Sequence, residues 1–178
     1  MARKSGKNKN MKIVIYILAG IVFAVLLIFI IGLLLPKQRT FTKQAVFNAP
    51  IETVFNAVTD NRSWEHRTTL DDLRIIETND DFEIWEEVSG NTVIRFTTTE
   101  KHPYTLYSFE MESGFFRGKW FGEFETIENG KTRITATEII EYRNPFIRVM
   151  AHIFFDLEKF MEIYFDDLRN KLEKAKSS

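Results

Sequence analysis

Glu138 is the side chain of this sequence best suited to acid–base chemistry in an apolar setting. In the segment TRITATEIIEY, residues 132–142, strict alternation places Glu138 and Tyr142 on one strand face together with three apolar side chains. If that face lines a cavity, desolvation raises the pKa of the carboxyl, which could then bind a ligand hydroxyl or exchange a proton. If the threonine-rich face points inward instead, Glu138 is a solvated surface acid.

Histidines offer little further chemistry. His66, His102 and His152 lie far apart, with no metal-ligand spacing between any two of them. His66 follows Trp64 in a turn-rich segment, where it is either a general base at a cavity entrance or a solvated loop residue. His102 precedes Pro103, as is typical of a hairpin connection. The chain has no cysteine and no Gly-x-Ser-x-Gly elbow, so the sequence indicates no metal site, no cofactor and no identifiable catalytic group.

Aromatic residues provide the other candidates for a ligand site. The segment GFFRGKWFGEF, residues 114–124, has glycines four apart, which we expect to permit bending of a strand. Trp120 and Phe124 share one face of that strand and are candidate cavity-wall residues. With Trp64, Glu138 and Tyr142 they form the predicted ligand-binding set.

Charge is distributed unevenly along the chain. Five of the 24 Lys and Arg residues lie within residues 1–12, whereas all 25 Asp and Glu residues follow residue 36. The region after residue 36 is therefore net acidic and has no basic stripe. This distribution argues against nucleic acid as a partner, because binding it needs clustered phosphate contacts.

Residues 13–35 form a charge-free apolar run that we interpret as a transmembrane helix. A helix of this length covers roughly 34 Å, enough for a hydrocarbon core of about 30 Å. A cleaved signal peptide is the alternative, but its apolar region is shorter and LLLPKQRT offers no small-x-small cleavage site. Residues 1–12 are then a basic tail. Five basic residues before the run against three after it favour a cytoplasmic amino terminus, a single pass through the cell membrane and a domain on the outer side.

The rest of the chain predicts an α+β domain over residues 41–174, after a short linker at 36–40. That linker spans at most roughly 17 Å, which keeps the domain close to the headgroups. TFTKQAVF predicts a strand, and IETVFNAVTD predicts a short helix that buries Val54, Phe55 and Val58. Short turns then separate six strand-like runs, which indicates an antiparallel meander. From Asn144 onward, apolar residues at steps of three and four predict one helix of about 28 residues.

Two stretches resemble a known family. FNAPIETVFNAVTDNRSW, residues 47–64, resembles the opening of the SRPBCC (START-like, polyketide cyclase/dehydrase-like) superfamily, and NGKTRITATE with the final helix resembles its close. The resemblance covers about residues 40–174. It implies a helix-grip fold, in which a curved antiparallel sheet of about seven strands wraps around a long carboxyl-terminal helix and encloses a cavity for hydrophobic molecules.

These observations together predict a membrane-anchored binding or carrier module for a hydrophobic small molecule such as a lipid or an isoprenoid. The bilayer, through residues 13–35, and the ligand are the expected partners. One alternative is a cyclase or dehydratase that acts on a hydrophobic substrate in the same cavity. The other is a membrane-tethered protein-interaction module whose interior is filled by some of the 17 phenylalanines. No protein partner can be named from the residues.

Overall fold

The structure is a computed structural model that describes residues 5–79 and 82–177. Its first element is helix α1, Ser5–Leu34. The part Lys9–Leu34 is long and apolar enough to cross a membrane, by length and composition. Residues 5–12, predicted as a tail, continue this helix instead, because nothing in SGKNKNMK breaks it; residues 1–4 lie outside the described part.

Seven antiparallel strands follow, as the sequence predicts. They are β1 Gln38–Phe47, β2 Asp72–Thr78, β3 Glu83–Ser89, β4 Thr92–His102, β5 Leu106–Glu112, β6 Arg117–Ile127 and β7 Lys131–Glu141. Their order in the sheet is β1-β7-β6-β5-β4-β3-β2. Strands β2 to β7 form a meander because each connection is short. The turn between β3 and β4 requires Gly90, whose φ of 56° is unfavourable for residues with a side chain.

Helix α2, Ile51–Thr59, covers one part of the sheet. It buries Val54, Phe55 and Val58, as predicted from their helical spacing. The hydroxyl of Thr132 on β7 donates to the carbonyl of Ala49 at 2.8 Å and holds the start of α2 against the sheet.

The carboxyl-terminal region contains two helices where the sequence predicts one. Helix α3 is Pro145–Phe154 and helix α4 is Leu157–Ser177. Asn144 caps α3 as expected, with its side chain accepting from the backbone N–H groups of residues 146 and 147. Phe155 is extended, and the Asp156 carboxylate accepts from the Lys159 N–H at 3.1 Å. The single-helix prediction is wrong because Asp156 acts as a second helix cap and starts α4 anew.

The apolar stripe of α4 packs against the sheet. Leu157, Met161, Phe165, Leu168 and Leu172 are all buried. The long carboxyl-terminal helix of the predicted helix-grip fold is therefore α4. The apolar residues of α3, in contrast, are largely exposed.

Candidate ligand-binding cavity

A cavity of about 340 Å³ lies between the sheet and α4. This volume is within the usual range of small-molecule sites, about 300–1,000 Å³. Strands β2 to β7, helices α2 and α4, and the segment after α2 form its wall. Apolar and aromatic side chains predominate in that wall, among them Trp64, Leu73, Trp85, Ile94, Phe96, Phe109, Met111, Phe116, Trp120, Ile140, Met161 and Tyr164.

Four aromatic rings on consecutive strands build one side of the cavity. Trp85 on β3 stacks on Phe96 on β4, with ring centroids 5.1 Å apart and planes 8° apart. Phe109 on β5 stacks in the same way on Trp120 on β6, at 5.1 Å and 7°. An edge contact of 5.3 Å between Trp85 and Phe109 joins the two pairs. Such contacts fix the rings and give the cavity a rigid apolar wall.

Gly122 makes room for the indole of Trp120. A Cβ atom at position 122 would lie 2.4 Å from Cη2 of that ring. The sequence predicts that the glycines of β6 permit bending of the strand. In the structure, however, β6 pairs without interruption with both neighbours, and the bulges lie in β2 and β4. A side chain at position 122 would therefore displace a residue of the cavity wall.

Glu138 is a buried acid on the cavity wall. Only 7% of its surface is exposed, so the first of the two sequence-based alternatives holds and the threonine-rich face points away. Burial raises the pKa of Glu138 to about 7. No group within residues 5–79 and 82–177 donates a hydrogen bond to its carboxyl, which faces the cavity beside Trp120 and Tyr142. Near neutral pH this group can both donate and accept hydrogen bonds.

A second polar position in the cavity is an ion pair between Arg67 and Glu87. One guanidinium nitrogen of Arg67 donates to Glu87 Oε2 at 3.0 Å and the other donates to Oε1. The indole N–H of Trp85 also donates to Oε1, at 3.1 Å. The guanidinium lies 5.5 Å from the centre of the Tyr164 ring. Burial alone would lower the pKa of Arg67, but the adjacent carboxylate outweighs it and raises that pKa above its usual value. The pair ties the segment after α2 to β3.

The structure brings four of the five predicted ligand residues to the cavity. Trp64, Trp120, Glu138 and Tyr142 all line it. Phe124 does not, which corrects its predicted place in the wall. It packs edge-on against Phe55, with ring centroids 5.0 Å apart, because α2 covers that end of β6.

The three histidines have different positions. His66 lines the cavity, and its Nδ1 donates to the Ser63 carbonyl at 2.8 Å. Burial lowers the pKa of His66, so the neutral ring is favoured. His102 is exposed at the end of β4, and Nδ1 of His152 contacts the carbonyl of Arg148 at 2.8 Å. Within the described ranges 5–79 and 82–177, no three His, Cys, Asp or Glu side chains come together as a metal site.

Several wall residues are missing from the sequence-based set, notably Arg67, Trp85 and Glu87. For two of them a signal existed, because Trp85 and Glu87 alternate on one face of β3 and an inward Trp85 places Glu87 inward as well. The sequence alone does not give the fold of residues 60–71, which brings Arg67 to that acid.

A seven-stranded antiparallel sheet that holds a long helix and a cavity is the helix-grip fold of the SRPBCC superfamily. The predicted resemblance is thus confirmed at the level of the fold. The Zhui aromatase/cyclase from Streptomyces sp. R1128 is similar at a TM-score of 0.66 and 11% identity, over 77% of this chain and 94% of that chain. A protein from Thermus thermophilus is similar at a TM-score of 0.62 and 18% identity, over 77% of this chain and 99% of that chain. Norcoclaurine synthase from Thalictrum flavum is similar at a TM-score of 0.61 and 7% identity, over 76% of this chain and 86% of that chain.

No protein-family model and no curated protein sequence matches the chain. At these identities the solved structures establish the fold and leave the activity open.

Proposed function

We propose that this protein is a membrane-anchored module that binds or carries a hydrophobic small molecule, of lipid or isoprenoid type, in the cavity between the sheet and α4. The observation that carries the proposal is the cavity itself. It measures about 340 Å³ and is walled mainly by fixed aromatic and aliphatic groups. Burial of apolar ligand surface there is favourable by roughly 25 cal/mol per Å².

One polar position in the cavity, Glu138, suits a ligand with a small polar group. Glu138 can exchange hydrogen bonds with a hydroxyl or carbonyl, because its carboxyl is partly protonated at neutral pH. Arg67 offers no comparable group, because its terminal nitrogens are paired with Glu87 and its Nε is buried.

Membrane anchoring through residues 13–35 completes the proposal. The sheet begins almost directly after α1, since the N–H of Tyr142 donates to the carbonyl of Lys37 at 2.8 Å. The predicted linker, residues 36–40, is shorter in the structure, because β1 already begins at Gln38. Residues 41–174, together with this first part of β1, are the proposed binding domain. The charge bias across the span favours the outer side of the cell membrane for that domain. A ligand dissolved in the bilayer is then close to the cavity at all times.

A cyclase-type enzyme is the second candidate. Glu138, with a pKa of about 7, is suited to general acid–base work, and Tyr142 lies on the same face of the cavity. Two structural neighbours are named as a cyclase and a synthase, and their likeness supports the fold only. A pure interaction module is disfavoured, because its interior would be filled.

Mass spectrometry of molecules retained by the full-length protein tests the proposal. Ile94→Trp places a larger side chain in the cavity wall, whereas Ile76→Trp changes an exposed position outside it. We expect an acyl or isoprenoid compound to accompany the native protein and Ile76→Trp after gentle detergent extraction, and to be lost from Ile94→Trp. Equal retention by all three would mean ordinary annular lipid and would overturn the proposal.

Incubation with the recovered compound separates the two candidates. A carrier leaves the mass of the compound unchanged. An enzyme produces a new mass in the native protein and loses this activity in Glu138→Gln.

A further inference from the structure

Helix α3 exposes several large apolar side chains to solvent, although it buries an arginine. It buries Arg148, of which only 1% is exposed. It exposes Met150 by 55%, Ile153 by 65% and Phe154 by 73%. Large apolar side chains that share one helix face and remain uncovered mark a surface made for contact with another apolar phase.

The other face of α3 is fixed to the last turns of α1. The rings of Phe29 and Phe146 are 5.6 Å apart. Gly32 allows close approach, since a Cβ atom there would lie 2.2 Å from the carbonyl oxygen of Pro145. Arg148 donates to the carbonyl oxygens of Gly32 at 2.6 Å and Leu35 at 3.2 Å, and so caps the end of α1.

A second arginine fixes the carboxyl-terminal end of α3. Arg39, just after α1, donates to the carbonyls of Ala151 at 3.1 Å and Phe155 at 3.0 Å. Helix α3 is thus held at both ends by chain segments that adjoin the membrane span, and its position relative to α1 is fixed.

These contacts set the depth of α3 in a bilayer that α1 crosses. Phe29 lies five residues before Leu34, which is about 8 Å along the helix axis. Amphipathic helices at membrane surfaces bury their apolar face roughly 5–10 Å into the boundary between headgroups and acyl chains. The first turn of α3 lies at a matching depth.

The mouth of the cavity opens at the same end of the domain. Three of its lining residues are exposed, namely Ser89, Phe115 and Phe155. Phe155 directly follows α3. Phe115 lies in the turn before β6, whose first residue pairs with the last residue of β7, next to the junction with α1.

We propose that α3, together with Phe115 and Phe155, is a second membrane-contact element that lies in the hydrocarbon boundary of the leaflet from which α1 emerges. The occupant of the exposed apolar face is the lipid of that bilayer. The cavity mouth then faces the acyl chains, and a hydrophobic molecule can pass between the membrane and the cavity without crossing water. The transfer route rests on the proposed ligand binding, whereas the membrane contact of α3 rests only on the proposed anchoring by α1.

Site-directed spin labelling of the full-length protein in phosphatidylcholine vesicles tests this inference. The chain has no cysteine, so single cysteines can be introduced at Ile153 and Phe154. Val46 and Ile76 are matched controls, being 46% and 49% exposed at the far end of β1 and on β2 at the opposite sheet edge. We expect collisions with oxygen to exceed collisions with a water-soluble nickel chelate several-fold at 153 and 154, and the reverse at 46 and 76.

Each other outcome contradicts the inference. Water-like accessibility at 153 and 154 would show that α3 stands clear of the bilayer. Labels shielded from both reagents would show that a second copy or another protein covers the face.

A glycine variant tests the junction with α1. Gly32→Val should reduce the lipid accessibility of the label at 153 several-fold, because the close approach to Pro145 is lost. Gly20→Val should leave it unchanged, since a Cβ there meets no other atom within 4 Å. Equal effects of the two substitutions would contradict the proposed docking.

Retention of the hydrophobic compound, measured on the same native preparation, separates this inference from the proposed function. If the labels were accessible to water while the compound was retained, only the inference about α3 would be contradicted. If the labels were exposed to lipid but no compound were retained, only the proposed ligand binding would be contradicted.

Discussion

Two carboxyl groups line the same cavity but have opposite environments. Glu87 on β3 accepts hydrogen bonds from Arg67 and Trp85 and is only 5% exposed. Glu138 on β7 is 7% exposed and lies among apolar groups. The first is a paired cross-link that joins a loop to the sheet. The second has no charge partner in the part of the chain that the structure describes, and burial raises its pKa to about 7.

The difference separates structure from function within one site. A buried acid with a fitted cation is already satisfied and has little left to offer a ligand. A buried acid without a cation destabilises the fold when it ionises. Such destabilising groups are common at sites that bind a ligand or transfer a proton. We therefore assign the structural role to Glu87 and the ligand-facing role to Glu138.

The largest expected effect comes from breaking the ion pair. Arg67→Met leaves Glu87 buried with the indole donor alone, and should lower the free energy of unfolding by about 3–5 kcal/mol at pH 7. Arg74→Met removes an exposed partner of Asp72 and should change stability by about 0.5 kcal/mol or less. Denaturant titration of both variants measures the contrast. Similar losses in the two would mean that the Arg67 pair has no special role in stability.

The lone acid should make stability depend on pH. Its folded-state pKa of about 7 lies above the ordinary value of 4.5, so the stabilisation is complete below about pH 4.5 and is lost as pH rises through about 7. We expect Glu138→Gln to match the native protein near pH 4.5 and to exceed its unfolding free energy by about 3 kcal/mol at pH 8. Glu123→Gln, an exposed change on β6, is the control and should follow the native curve. Parallel curves for all three proteins would place Glu138 in water.

Glu138 should also make ligand affinity depend on pH, with a smaller effect than on stability. An uncharged long-chain alcohol that fills the cavity removes water from Glu138 and thereby favours its protonated form. Affinity should then fall several-fold between pH 5.5 and pH 8, with at most about tenfold for each unit of further pKa shift. In Glu138→Gln the affinity should not change with pH. Binding that is independent of pH in both proteins would mean that the ligand lies away from Glu138.

Local patterns in the sequence predict the fold closely. Alternation locates the strands, short turns indicate their antiparallel order, and Pro145 marks the start of a helix. The break at Asp156 was not predictable from hydrophobic spacing, because the apolar period continues through it while only the cap interrupts the helix. The spacing also does not show what covers an apolar helix face. The sheet covers that of α4, whereas no described residue covers that of α3.

The site was predictable only where one strand contains the information. Alternation along β7 is enough to place Glu138 beside Tyr142. Phe124 has the correct strand face but lies under α2, and the position of α2 depends on tertiary packing. Arg67 reaches Glu87 through an irregular loop, for which the sequence offers no periodic signal.

Chain-length dependence of binding tests the central claim most directly. Full-length protein in lipid nanodiscs can be titrated with a homologous series of saturated alcohols, with the fluorescence of the cavity tryptophans as reporter and empty nanodiscs as the partition control. Each buried methylene contributes about 0.8 kcal/mol, so affinity should rise roughly fourfold per carbon and level off when the cavity is full. Absence of saturable binding at any length, or affinities that do not depend on length, would contradict a cavity that holds a hydrophobic ligand.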